Sequence, residues 1–503
     1  MRLREKKEKK SKRKLSKEES RVIDQEQEVV IRKRKRVNRE ISLITYIFVG
    51  LFVLLIGNYV RFMFVESGDV INSSYNKRQE LLAETIERGM ILGSKGEVLA
   101  KSEYDKDGNM TRVYPYKSLF AHTVGRFLKT KTGLENTMSF PLLTSSINPL
   151  EKAWNDIAGE RSPGDNVVTT LDVDLQKVAS DALGSKQGVV VVMEPSTGKI
   201  LAMVSKPDYD PNKVEENWDK LTSMSGDESA LLNRATQGMY SPGSIYKVVT
   251  AVAYMRENPD YADFTYTCDG VFDTNVNNYA VKCYNGKKHG TVTFETAFSK
   301  SCNGAYAKML SQMNLSKFTE VNKSLLFNTA LGLDFSVAPS QFAISSDATL
   351  DVIAQTAMGQ GTTLMTPMHA VMLVSAVANG GKLMTPYMVD EIQSATGDVV
   401  ETFSPTAYGT LFSSDEAKVL TEMMELTVKS GTATKLQSSK YSAAGKTGTA
   451  EVNDKKPHSW FIGFASQEGT GDIAISVIVE NAGAGSDYAV PIAKKVFDAY
   501  YKR

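Results

Sequence analysis

The chain has 503 residues, 42% apolar and 23% charged, the composition of folded protein with room for two or three domains. Three cysteines without Cys-x-x-Cys, four histidines without His-x-x-x-His and the lack of Gly-x-Ser-x-Gly leave zinc-ribbon, thioredoxin-type, zinc-peptidase and α/β-hydrolase chemistry without an anchor. The net charge of +1 hides an asymmetry: residues 1–40 carry 17 Lys/Arg against 8 Asp/Glu, and the remainder is acidic.

That basic block is read as a cytoplasmic tail, solvated and disordered, that also meets anionic lipid headgroups rather than nucleic acid. It runs into 41–60, uncharged throughout and long enough as a helix to span roughly 30 Å. A membrane anchor over 41–65 is expected, with the N-terminus in the cytoplasm and the rest outside. The long basic lead and the missing small-x-small site argue against a cleaved signal. Residues 66–162 are polar and mixed, with a helix expected over 77–88 and short strands at 90–92 and 97–100. Nothing reactive clusters there, so a spacer or interaction domain is expected, ending at the break Arg161-Ser162-Pro163-Gly164-Asp165.

From 163 to 503 the pattern mixes α and β. A helix is expected at 174–183, a hairpin of apolar strands at 188–193 and 200–204, strands at 443–450, 459–465 and 473–479, and a closing helix at 491–501. Residues 207–440 read as helical or irregular. Strands at both ends with helices between predict an α+β domain built on one antiparallel sheet.

Three motifs stand out in order: Ser244-Ile245-Tyr246-Lys247, Ser301-Cys302-Asn303 and Lys446-Thr447-Gly448. A Ser-x-x-Lys arises about twice by chance in a chain of this length, and Ser11–Lys14, Ser74–Lys77 and Ser196–Lys199 are such strays. Context separates the set. Ser244 follows Ser241-Pro242-Gly243 and opens a helical run, where Lys247 lies one turn away on the same face. A serine becomes nucleophilic when a base takes its proton, and a lysine serves if burial or a second cation, here Lys446, lowers its pKa. Ser301 suits proton relay, and Asn303 suits hydrogen bonds to Lys247 and a substrate amide. Both also suit plain helix caps. Lys446 or Thr447 would hold a carboxylate, and Gly448 would leave space for a peptide along the strand edge. A twist or bulge is expected if all three residues act, because Thr447 faces away from Lys446 in an ideal strand. The backbone N–H groups of Ser244 and Thr449 would form an oxyanion hole. Cys268 and Cys283 bracket a Gly/Asn-rich segment, for which a disulfide and two free buried thiols fit equally well. Cys302 reads as a small residue turned away from the site, and no metal is expected.

On these motifs the chain resembles the class B penicillin-binding proteins, membrane-anchored D,D-transpeptidases of peptidoglycan synthesis. Further likeness lies in Arg88-Gly89-Met90-Ile91, Thr169-Thr170-Leu171-Asp172, Asn233-Arg234-Ala235-Thr236, Met358-Gly359-Gln360-Gly361 with Thr366-Pro367, and Ser459-Trp460-Phe461-Ile462-Gly463. The resemblance implies a pedestal over 66–162 and, over 163–503, a penicillin-binding/serine β-lactamase-like domain with a five-stranded antiparallel sheet flanked by helices. It implies that Ser244 is acylated by the D-Ala-D-Ala end of a stem peptide, that β-lactams acylate the same serine, and that no cofactor is needed. It also implies a polytopic lipid II polymerase as membrane partner. A carboxypeptidase or β-lactamase passing the acyl group to water, a β-lactam sensor and a polymerase-activating scaffold are the competing readings.

Overall fold

The computed structural model describes residues 2–62, 82–83, 85–276 and 278–502, in two compact units divided after Asn76. Within the first unit α1 (Arg2–Arg61) is one helix of 60 residues. Its segment Asp24–Arg61 holds the one window, among the described residues, long and apolar enough to cross a membrane. Phe48, Phe52, Leu54 and Leu55 all stand exposed on it, an all-round apolar surface that suits lipid rather than water. The basic stretch, expected to be disordered, continues the same helix. Lys, Arg and Glu are good helix formers, and Arg32 and Arg36 pair one turn away with Glu28 and Glu40 at 3.4 and 3.2 Å.

The second unit begins with a sheet whose strands come from distant parts of the chain. The helix expected at 77–88 falls partly outside the described residues, and 86–87 are extended. Strands β1 (Ile91–Leu92), β2 (Val98–Tyr104), β3 (Met110–Val113) and β4 (Asn166–Thr169) follow. Asp172 then caps α2 (Val173–Leu183) by accepting from the Leu175 N–H at 2.8 Å. The hairpin β5 (Gly188–Met193) and β6 (Ile200–Lys206) matches the expected pair. After α3 (Lys247–Glu257), eight short strands appear among the described residues of the region expected to be helical or irregular, the first four being β7 (Thr265–Cys268), β8 (Val271–Val276), β9 (Tyr279–Lys282) and β10 (Gly290–Thr293). These four pair as β7 with β10 and β8 with β9, and four to six residues are too few for alternation to stand out in a sequence. Next come α4 (Asn303–Ser311), α5 (Pro367–Ala378), β11 (Val389–Gln393), β12 (Val399–Thr402) and α6 (Ser414–Lys429). The chain closes with β13 (Ser442–Val452), β14 (Lys455–Gln467), β15 (Thr470–Val479) and α7 (Ala489–Tyr500).

The first sheet has the order β12-β11-β4-β1-β2-β3, so strands from either side of the 161–165 break share one hydrogen-bonded surface. The second, β13-β14-β15-β5-β6, is antiparallel throughout and has the five strands expected. It is covered on both faces, which is why β5 reads as an unbroken apolar run. Val189 and Val191 enter a core with α3 and α5, while Val190 and Val192 enter another with Leu175 and Ala179 of α2 and Val496 and Phe497 of α7. β13 is the end strand of this sheet, and its residues 444–448 are buried.

The link between the N-terminal strands and the chain beyond them is ionic and buried. Glu135, fully buried, accepts from Arg88 and from Arg112, each at 2.7 Å. Burial alone would raise its carboxyl; Arg112 and Arg88 together hold it below the ordinary value. Removing the shared carboxylate leaves two buried guanidinium groups facing each other. Glu135→Ala is therefore expected to cost about 3–5 kcal/mol of unfolding free energy in a urea titration. A loss below about 1 kcal/mol, the size of a surface pair, contradicts this account.

Candidate active site

Ser244 lies in the 3-10 turn Gly243–Tyr246, which runs directly into α3. Gly243 has φ +55°, and its N–H donates to the Gly359 carbonyl at 3.0 Å. A Cβ on Gly243 would sit 2.9 Å from the Thr449 carbonyl oxygen, so only glycine lets this turn press against β13. Trp460 on β14 donates its indole N–H to the Ser241 carbonyl at 3.1 Å, and Tyr240 exchanges backbone bonds with Met365. The serine is thus gripped by its flanks. Its own side chain is half-buried, and its hydroxyl makes no hydrogen bond with any described residue.

Lys247, one helical turn on, is completely buried. Its Nζ donates to the Ser301 carbonyl at 2.8 Å, to Ser301 Oγ at 3.1 Å and to Asn303 Oδ1 at 2.7 Å. Lys446, equally buried, donates to the same Ser301 Oγ at 3.0 Å and to the Thr447 carbonyl at 3.0 Å. Two ammonium groups therefore converge on one hydroxyl, and no carboxylate pairs with either among the described residues. Burial lowers the Lys247 amine to about 8, with the nearby Cys302 and Cys283 opposing the shift. Burial, then the charge of Lys247, pushes Lys446 well below its ordinary value. Ser301 holds φ +57°, an uncommon conformation for serine that turns its carbonyl toward Lys247. Asn303 opens α4 and bridges outward, its Nδ2 donating to the Lys282 carbonyl at 2.8 Å.

Hydrogen bonds bring Lys247, Ser301, Asn303 and Lys446 together with Ser244 one turn before Lys247, and the third motif lies in a regular strand rather than at the expected twist or bulge. β13 pairs regularly with β14 from Ser442 to Ala450, and its one irregularity falls after Ala450, outside the motif. Thr447 faces away from Lys446, and its hydroxyl meets that of Thr432 at 2.5 Å. Thr449 is half-buried beside the serine turn. Gly448 packs against its neighbours on one face: a Cβ there would come within 2.8 Å of Trp460 Cβ, 3.0 Å of Ile245 Cγ2 and 3.1 Å of the Pro242 carbonyl, so the serine turn lies directly against this glycine.

Sequence reasoning missed a second cluster. Cys268 and Cys283 are free and buried, their sulfurs 3.7 Å apart, well beyond a bond of about 2.05 Å, so the disulfide is absent. Cys302, expected to be an isolated small residue, has its sulfur 4.0 Å from that of Cys283, and His289 Nδ1 lies 3.5 Å from Cys268 Sγ. The four ligand atoms all lie within 4.8 Å of one another and are able to hold a metal ion. Their spacing follows no short motif, which is why it carried no signal. Also missed was the ionic brace behind Ser244, where Arg234 and the Tyr240 hydroxyl both donate to Glu480 Oε1, at 2.8 and 2.7 Å. Arg234 was visible only as part of a resembling segment. The crowding at Gly448 makes a specific expectation: Gly448→Ala forces the Ser244 turn off β13 and costs about 1–3 kcal/mol in thermal or chemical unfolding. An unchanged unfolding midpoint would contradict the contact.

Known proteins are similar to this chain over the part that holds these residues. A family model described as the penicillin binding protein transpeptidase domain matches residues 188–498. Peptidoglycan D,D-transpeptidase PbpA of Mycolicibacterium smegmatis is 31% identical over 89% of this chain and 96% of its own length. Peptidoglycan D,D-transpeptidase MrdA of Acinetobacter baumannii is 27% identical over 77% of this chain and 66% of its own. Among solved structures, penicillin-binding protein A of M. tuberculosis as a ceftriaxone acyl-enzyme complex is similar with a TM-score of 0.75 and 28% identity, covering 83% of this chain and 99% of that one. The match spans the sheet, the serine turn and the two-lysine centre, and the chain belongs to the penicillin-binding protein transpeptidase family.

Proposed function

We propose that this chain is a membrane-anchored peptidoglycan D,D-transpeptidase in which Ser244 is the nucleophile. The observation that carries the reading is the pair of buried lysines meeting at Ser301 Oγ, 3.1 and 3.0 Å away, without an acidic partner among the described residues. In its neutral form Lys247 takes the Ser244 proton as Ser244 Oγ bonds to the carbonyl carbon of the penultimate D-Ala. The negative charge that develops on the carbonyl oxygen is met by the N–H groups of Ser244 and Thr449, at a turn whose approach to β13 is fixed by Gly243 and Gly448. As the carbon–nitrogen bond breaks, the departing D-Ala amine takes a proton through the Ser301 hydroxyl, which Lys446 or Lys247 resupplies. Attack by the amine of a neighbouring stem peptide then releases Ser244, with the proton returning along the same route. Asn303 holds Lys247 in reach of Ser244, and Lys446 or Thr447 receives the terminal carboxylate. A β-lactam presents a comparable acyl carbon and is trapped on the same serine.

Residues 1–40 form a cytoplasmic basic tail, 41–65 the anchor, 66–162 a pedestal and 163–503 the transpeptidase domain. Positive charge ahead of the apolar stretch places the N-terminus inside and the catalytic unit outside. The membrane partner is a polytopic polymerase that supplies lipid II-derived strands, a reading supported by the family and by the apolar helix.

Three expectations follow. The full chain in detergent labels covalently with a fluorescent penicillin, and Ser244→Ala abolishes the label; labelling that survives the substitution sinks the assignment. A D-Ala-D-Ala substrate offered with and without a D-amino-acid acceptor separates transfer from hydrolysis. The labelling rate rises with pH through about 8 and levels above it, because the base must be neutral and Lys247 is lowered to about 8. A rate still climbing steeply at high pH, as an unshifted lysine near ~10.4 would give, excludes Lys247 as the base.

A further inference from the structure

We infer that Cys268, Cys283, His289 and Cys302 form a tetrahedral zinc site that braces the Ser301-Cys302-Asn303 motif from behind. The geometry fits a metal better than it fits paired or idle thiols. With Zn–S near 2.3 Å and Zn–N near 2.0–2.1 Å, a tetrahedral site has edges of about 3.8 Å between sulfurs and about 3.5 Å between sulfur and nitrogen. The observed separations are 3.7 Å for Cys268–Cys283, 4.0 Å for Cys283–Cys302 and 3.5 Å for Cys268–His289. All three cysteines are buried, and thiolate with imidazole donors in this geometry select zinc over hard oxygen-loving cations.

A second observation points the same way. Three of the ligands sit on the strand insertion between α3 and the second motif: Cys268 ends β7, Cys283 follows β9 and His289 precedes β10. Each of the four strands β7, β8, β9 and β10 buries a single residue, Cys268, Thr274, Val281 and Val292 respectively. Two-stranded pairs with so little apolar cover are marginal in water, and small elements of this kind are held by metals or disulfides. Here the sulfurs are not bonded, and a metal supplies the staple.

The fourth ligand connects the insertion to the catalytic centre. Cys302 separates Ser301, whose hydroxyl takes both lysines, from Asn303, which holds Lys247. Asn303 also donates to the carbonyl of Lys282, the residue before Cys283. A metal bonded to Cys283 and Cys302 therefore locks the motif to the insertion at two adjacent points and keeps Ser301 in its left-handed conformation. The effect on acylation rests on the proposed function; the metal itself does not.

Elemental analysis of the full chain, prepared in detergent with zinc in the medium, is expected to give about one zinc per chain. Replacement by Co²⁺ gives sulfur-to-cobalt charge-transfer bands, and the three thiols resist a thiol reagent until a chelator is added. His289→Ala and Cys268→Ser, both away from Ser244, lose the metal, whereas Ser244→Ala keeps it and so separates the two readings. Should those variants fail to fold, Co²⁺ titration of the unaltered chain still decides. Chelation is expected to slow fluorescent-penicillin labelling about 10-fold or more, as loss of a positioning shell does, with recovery on zinc but not magnesium. Three freely reactive thiols with no metal, or a mapped Cys268–Cys283 disulfide, overturns the site. Metal removal that leaves the labelling rate unchanged overturns its positioning role.

Discussion

Two buried lysine amines facing one hydroxyl, with no carboxylate among the described residues to balance them, is the constraint around which the catalytic unit is arranged. Isolated charge in a protein interior is costly, and buried lysines respond by giving up protons near neutrality. The fold exploits that response. Lys247 comes from a helix, Lys446 from an edge strand and Ser301 from a strained turn, so three separately stabilised elements must be in place before the amines meet. Their meeting confers chemistry that no single motif has. The arrangement adds nothing obvious to stability, since hydrophobic residues of like size would pack there without the desolvation penalty.

Holding such an unfavourable cluster together demands support from elsewhere, and the support is largely backbone. Gly243, Gly359 and Gly448 allow three chain segments to approach within van der Waals contact around the serine turn. Trp460 pins Ser241, and the Arg234–Glu480–Tyr240 brace fixes the chain just upstream. That brace is a buried ion pair completed by a neutral hydroxyl, the fully satisfied kind of polar network that rigidifies. Several segments that carried the family resemblance without an evident role, notably 233–236, 358–361 and 459–463, turn out to be these supports.

The strands of the five-stranded sheet were legible because each carries a buried apolar run. The three motifs were legible through order and context. What stayed hidden depended on three-dimensional closeness. The short strands between 265 and 293 bury one residue each, too little for a periodic signal, and were read as helical or irregular. The packing of the serine turn on Gly448 was hidden because a strand considered alone has no turn pressed against it. Cys302 looked idle because its partners lie on an insertion whose fold the sequence did not reveal. The basic tail was read from its charge as disordered, whereas its i,i+4 Glu–Arg pattern carries a helix.

The insertion makes the division of labour between packing and polar bonds plain. The five-stranded sheet rests on two apolar cores and needs no other fastening. The strands β7 to β10 bury only one residue each and take their apolar packing from the chain beside them. Val281, Phe272 and Tyr279 lie against Ala307, Ala354 and Met358, and the strands end against the residues that hold Lys247. An element so weakly packed can position a catalytic group only if something stronger than dispersion fixes its ends. Asn303 supplies one such tie through the Lys282 carbonyl, but a single hydrogen bond contributes only about 1 kcal/mol net, too little to order two hairpins. Four converging soft ligands supply bonds of the required strength, and they do so where slack would be most damaging, at the residue between Ser301 and Asn303.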